Sequence, residues 1–79
     1  MKTNMTLAEV KAATVGSLDA RWVNSNTLFV GTVPFRLGKT YDLLNALVGD
    51  DAGANDNNNS RTVETADGAK ILVEWEVWA

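Results

Sequence analysis

Glu74 and Glu76 come nearest, by type and spacing, to a catalytic pattern in this chain. They alternate with apolar residues in the run Ile71-Leu72-Val73-Glu74-Trp75-Glu76-Val77-Trp78. On a β-strand such a pair shares one face about 7 Å apart. Carboxylates at that separation serve as acid and base in glycoside hydrolysis. A chain of 79 residues leaves little room for the cleft a sugar needs, so a solvated strand face is the simpler reading. Gly38-Lys39-Thr40, opening a helix, imitates a phosphate-binding loop. That motif requires a glycine where Val33 stands, and Gly31 is too far upstream for enough backbone amides to cradle a phosphate. An ordinary helix start explains it better. Asp56, Asn58 and Ser60 imitate the first ligands of a calcium loop, but Arg61 occupies the position of its glycine and Asp67 that of its final glutamate.

The chain has no histidine and no cysteine. The commonest general base, the usual transition-metal ligands and the Ser-His-Asp and Cys-His nucleophile arrangements are therefore missing. No catalytic residue, metal ligand or cofactor is assigned. The expectation is a non-enzymatic domain that works by binding another macromolecule.

The elements that would position such a surface follow from periodicity. Thr6-Leu7-Ala8-Glu9 has the spacing of a capping box. Leu7, Val10, Ala13 and Thr14 recur at helical spacing as far as Gly16, which predicts a helix over about 7–15. Alternation then sets Leu18, Ala20 and Trp22 against Asp19, Arg21 and Val23. Asn24-Ser25-Asn26 is turn chemistry before a strand over about 27–37, distorted or at an edge near Pro34. A two-residue turn at Ser25-Asn26 would put Trp22 across from Phe29, Ala20 from Gly31 and Leu18 from Val33. Thr40 is placed as the cap of a second helix over 41–48, whose stripe is Leu43, Leu44, Leu47 and Val48, with Gly49 ending it. Residues 50–60 lack any large apolar side chain and read as an exposed, mobile loop. A second hairpin turns at Ala66-Asp67-Gly68, pairing Glu64 with Lys70 and Val63 with Ile71. Ile71, Val73, Trp75 and Val77 then share the core face, and Leu72, Glu74, Glu76 and Trp78 the other. The expected fold is one α+β domain over residues 1–79, ordered αββαββ, with a four-stranded antiparallel sheet and two short helices packed on one face.

Composition sets the class of partner. Ten acidic residues against seven basic ones give a net charge of −3, opposite in sign to most nucleic-acid binders. A basic protein surface suits it better than DNA or RNA. The apolar fraction of 46% is that of a globular domain. No apolar run reaches the roughly 18–20 residues of a membrane span. Polar Thr3-Asn4-Met5-Thr6 stands where a signal peptide would turn apolar, so an intracellular monomer is expected. Asn4-Met5-Thr6 and Asn58-Asn59-Ser60 then read as chance matches to a glycosylation site. Trp22 and Trp75 belong to predicted core faces. Tyr41 and Trp78 remain as candidate anchors of an interface, and Asp50, Asp51, Asp56, Glu74 and Glu76 as its candidate charges.

Over its whole length the sequence resembles the anti-CRISPR proteins that mobile elements encode, and among them the series directed against type I-C systems. The likeness runs from Met1-Lys2-Thr3-Asn4-Met5-Thr6-Leu7 through Gly49-Asp50-Asp51-Ala52-Gly53 to Val73-Glu74-Trp75-Glu76-Val77-Trp78-Ala79. The resemblance implies a non-enzymatic inhibitor in the cytoplasm of an infected bacterial cell. Its partner would be a Cas protein of the type I-C surveillance complex (Cascade), which holds DNA in basic channels. On that expectation an acidic surface takes the place of target DNA. A small phage structural or assembly protein, acting by protein–protein contact and self-association, is the alternative.

Overall fold

Thr6 opens α1 (Leu7–Thr14) with the expected reciprocal cap. Its hydroxyl accepts from the Glu9 amide at 3.2 Å, and the Glu9 carboxylate accepts from the Thr6 amide at 2.9 Å. Val10 and Thr14 are the buried positions of this helix, while Ala13 is exposed. The computed structural model describes residues 1–15, 20–34, 38–53 and 58–78; the side chains of residues 32–34 and 78 lie outside the described set. Leu18, Gly16 and Asp56, which figured in the sequence reading, lie outside it as well.

β1 (Ala20–Asn24) and β2 (Thr27–Pro34) form an antiparallel hairpin. Asn24 sets the turn by accepting the Asn26 amide at 3.0 Å on its side-chain oxygen, and Asn24 pairs with Thr27 as a Ser25-Asn26 loop requires. The register beyond the turn differs from the expected one. An irregularity between Trp22 and Asn24 sets Trp22 opposite Leu28, Arg21 opposite Phe29 and Ala20 opposite Val30. One extra residue in a strand moves every later side chain to the other face of its partner. Leu28 and Val30 therefore enter the core, and Phe29 leaves it.

α2 (Gly38–Val48) begins before the expected Tyr41, so Thr40 lies inside the helix and does not cap it. Gly38, Lys39 and Thr40 give no apolar signal, and the periodic stripe becomes visible only from the second turn. Leu44, Leu47 and Val48 are fully buried, with Tyr41 and Leu43 packed partly against the core. Gly49, at φ +61°, ends the helix as expected.

Residues 49–53 are not the start of an open loop. They form a 3-10 helix (Gly49–Gly53) that buries Ala52 completely and brings Asp51 to Arg61. A single methyl group sufficed to anchor it, which a search for large apolar residues overlooks. β3 (Asn59–Glu64) then takes up Asn59 and Ser60, so both described ends of the stretch read as a loop over 50–60 lie in regular elements.

The turn to β4 (Lys70–Trp78) is as anticipated. Glu64 pairs with Lys70 and Val63 with Ile71, and Gly68 adopts φ +88°. Thr65 closes the turn by accepting the Ala69 amide at 3.0 Å and donating to Asp67. Asp67 also accepts the Leu7 amide at 3.1 Å, which joins this turn to the N-terminus of α1. The Thr65 hydroxyl first, and the Leu7 amide second, hold the Asp67 carboxyl below its ordinary value of 3.8. A carboxylate whose folded pKa is lowered adds stability that is complete above the unfolded pKa and disappears as pH falls through the folded one. The Asp67→Asn variant should therefore melt below wild type at neutral pH. The gap should close as pH falls below about 4, as read from melting curves at a series of pH values.

The α+β class, the αββαββ order and the four-stranded sheet are as the sequence implied. The strand order is β1-β2-β4-β3, and the sheet is mixed. Both hairpins are antiparallel, but the central β2–β4 pair runs parallel, with Leu28 beside Val73 and Val30 beside Trp75. The expected all-antiparallel sheet is corrected at this one seam. β4 is the longest strand and the richest in buried residues, so it gains most from a central place between two neighbours. Polar β3 suits an edge. Val10, Leu28, Val30, Leu44, Leu47, Val63, Ile71, Val73, Trp75 and Val77 form one core against which both helices pack.

The N-terminal segment lies along β3. The Thr3 amide donates to Glu64 O at 3.0 Å and the Glu64 amide to Met1 O at 2.8 Å. The Thr3 hydroxyl donates to Ala46 O at 2.8 Å, serving a carbonyl in the last turn of α2.

Candidate functional site

Alternation along four strands produces one covered and one uncovered face. Residues that share a face with Leu28, Val73 and Trp75 form the core, whereas Arg21, Phe29, Leu72, Glu74 and Glu76 point the other way. None of the apolar groups on this second face belongs to the core that the helices cover. Register sets Arg21, Phe29, Glu74 and Ser60 in one row across β1, β2, β4 and β3. The Arg21 guanidinium lies 5.5 Å from the Phe29 ring centroid. Glu74 and Glu76 are half-buried on the central strand, and among the described residues neither takes part in an ion pair or hydrogen bond. A depression of about 110 Å³ lies beside them, bordered by Phe29, Asn58, Ser60, Glu74 and Glu76.

The helix side presents a different chemistry. Arg61 Nε donates to Asp51 Oδ2 at 3.1 Å, its Nη1 donates to Ser60 O at 2.7 Å, and its guanidinium lies 5.7 Å from the Trp75 ring centroid. Asp51 is thus an internal brace for the 3-10 helix. Asp50 is exposed in the same turn. Trp22 is half-buried, donates its indole N–H to Thr14 Oγ1 at 3.0 Å and carries the Lys11 ammonium 5.4 Å from its ring centroid.

The candidate residues therefore separate. Glu74 and Glu76 stand together on the open face; Asp50 and Asp51 sit on the helix side; Tyr41 packs partly into the core. Asp56 and the Trp78 side chain lie outside the described residues. Phe29 and Arg21 are site residues that the sequence reading did not place there. The signal lay in the β1–β2 turn, because both possible registers gather apolar residues and only the irregularity at Val23 decides between them.

Two further depressions, each of about 270 Å³, flank the N-terminal segment, one of them bounded by the Lys2–Glu64 pair at 3.7 Å. Among the described residues no three acidic, histidine or cysteine side chains gather as a metal site. No helix among them is long and apolar enough to cross a membrane. Comparison with protein-family models, curated proteins and solved structures finds no match for this chain.

Proposed function

We propose that this chain is a non-enzymatic anti-CRISPR inhibitor that binds the type I-C surveillance complex and blocks its binding of target DNA. The likeness across the whole sequence supplies the class of partner. The observation that carries the reading to a surface is the pair Glu74 and Glu76, which among the described residues have no counter-ion and stand on a sheet face that no described helix covers. Carboxylates fixed on a rigid strand are complementary to lysines and arginines that wait for phosphate. Asp50, exposed on the helix side, extends the negative field without belonging to the same contact. Asp51 contributes less to that field, since Arg61 pairs with it at 3.1 Å.

The test is capture of purified type I-C Cascade by the immobilised chain, followed by target-DNA binding at low and moderate salt. Capture with loss of DNA binding, weakening as salt rises, is the expected result. Capture with DNA binding intact would transfer the blocked step to nuclease recruitment and overturn the competitor mechanism. Absence of capture, with self-association in a light-scattering concentration series, would replace the reading by that of an assembly protein.

A further inference from the structure

We infer that the depression on the open sheet face is a seat for a single arginine side chain of the protein partner, a refinement that rests on the proposed function. Size is the first argument. A drug-sized or nucleotide ligand occupies about 300–1,000 Å³, while this depression holds about 110 Å³. At about 30 Å³ per water, that is space for a few waters or one side-chain head group.

Charge is the second argument. Glu74 and Glu76 border the depression from successive outward positions of β4, and among the described residues neither has a counter-ion. Strand geometry sets them about 7 Å apart, too far for one compact ammonium to serve both at hydrogen-bond distance. A guanidinium presents donors along two edges of a planar fork and can address both carboxylates at once. The third argument is the ring. Phe29 forms another wall, and it already carries a guanidinium, that of Arg21, on the side towards β1. On its other side Phe29 is paired with Glu74 of β4, which borders the same depression. Ser60 and Asn58 supply polar atoms at the rim. The depression thus sets two carboxylates, unpaired among the described residues, beside an aromatic ring, a demand matched by one arginine side chain.

Two measurements test the seat. In the first, the isotope-labelled chain is titrated with acetyl-Gly-Arg-Gly-amide and, separately, with acetyl-Gly-Lys-Gly-amide, and amide shifts are followed by NMR. The expected result is a response centred on Phe29, Ser60, Glu74 and Glu76, stronger for the arginine peptide and abolished in E74Q/E76Q. Equal responses to both peptides, or shifts scattered over the surface, would overturn the inference. In the second, Cascade capture is compared for wild type, E74Q/E76Q and Phe29→Leu, each first shown to melt as wild type does. A loss of about tenfold or more for the double variant, with a smaller loss for Phe29→Leu, is expected. Capture undiminished in E74Q/E76Q would remove the seat and leave the inhibitor reading standing. A peptide response without any Cascade capture would do the reverse.

Discussion

The Trp75→Ala variant is expected to lose about 3–5 kcal/mol of stability. A domain of this size has about 4–12 kcal/mol in total, at about 0.05–0.15 kcal/mol per residue, so the variant stands close to unfolding. Trp75 is 1% exposed and pairs on both sides, with Val30 of β2 and Asn59 of β3. Truncation would open the centre of the sheet and remove the ring on which the Arg61 guanidinium rests. Trp75→Phe isolates the packing contribution. Among the described residues the indole N–H has no acceptor, and a buried donor left unpaired costs about 1–3 kcal/mol. Phenylalanine gives up volume but also that penalty, so it should cost much less than alanine. Urea denaturation followed by circular dichroism compares the two, and equal losses would show that the indole nitrogen is not a burden.

Removal of residues 1–5 is expected to cost about 3–6 kcal/mol. The segment makes five hydrogen bonds to the rest of the fold: the Met1 ammonium to Thr62 O, Thr3 N to Glu64 O, Glu64 N to Met1 O, Ala66 N to Met5 O and the Thr3 hydroxyl to Ala46 O. Each is worth about 0.5–1.5 kcal/mol net, and Met5 adds apolar area packed against the core. The ion pair between Lys2 and Glu64 contributes little. It spans 3.7 Å with the lysine 81% exposed, and such pairs are worth about 0–1 kcal/mol. Lys2→Ala is thus the control that should melt near wild type. The shortened chain would also uncover the outer edge of β3, and unpaired strand edges recruit other strands. Denaturation curves and size-exclusion chromatography should show both effects. A shortened chain as stable as the full one would mean that the segment merely lies on the surface.

Much of the architecture could be read because it is written in short-range chemistry. The Thr6–Glu9 cap, the Gly68 turn with its register, and the alternation of β4 each depend on neighbours within a few residues. The errors arose where a choice depended on distant partners or on one small residue. Val23 shifts the first hairpin and reverses the roles of Leu28 and Phe29. Ala52 anchors the 3-10 helix with too little apolar surface to stand out. The parallel meeting of β2 with β4 leaves no local mark, since a strand's alternation is the same whichever way its neighbour runs. The candidate site shared that fate. Glu74 and Glu76 were visible from spacing, but the Phe29 wall followed only from the corrected register. Asp51 looked like a free charge until its partner Arg61 was found across the 3-10 helix.

The last strand in chain order is also the one that joins the two halves of the sheet, with β2 on one side and β3 on the other. During synthesis, which proceeds at about 5–20 residues per second, the first hairpin leaves the ribosome long before its parallel partner. Until β4 follows, Leu28 and Val30 have no sheet neighbour on that side. The domain therefore folds after translation of its final element and not progressively along the chain. Its relatively distant strand pairings favour a slower approach to the native state than its length alone would suggest. A cell making this domain holds its first hairpin without a sheet partner until β4 emerges and joins the two halves.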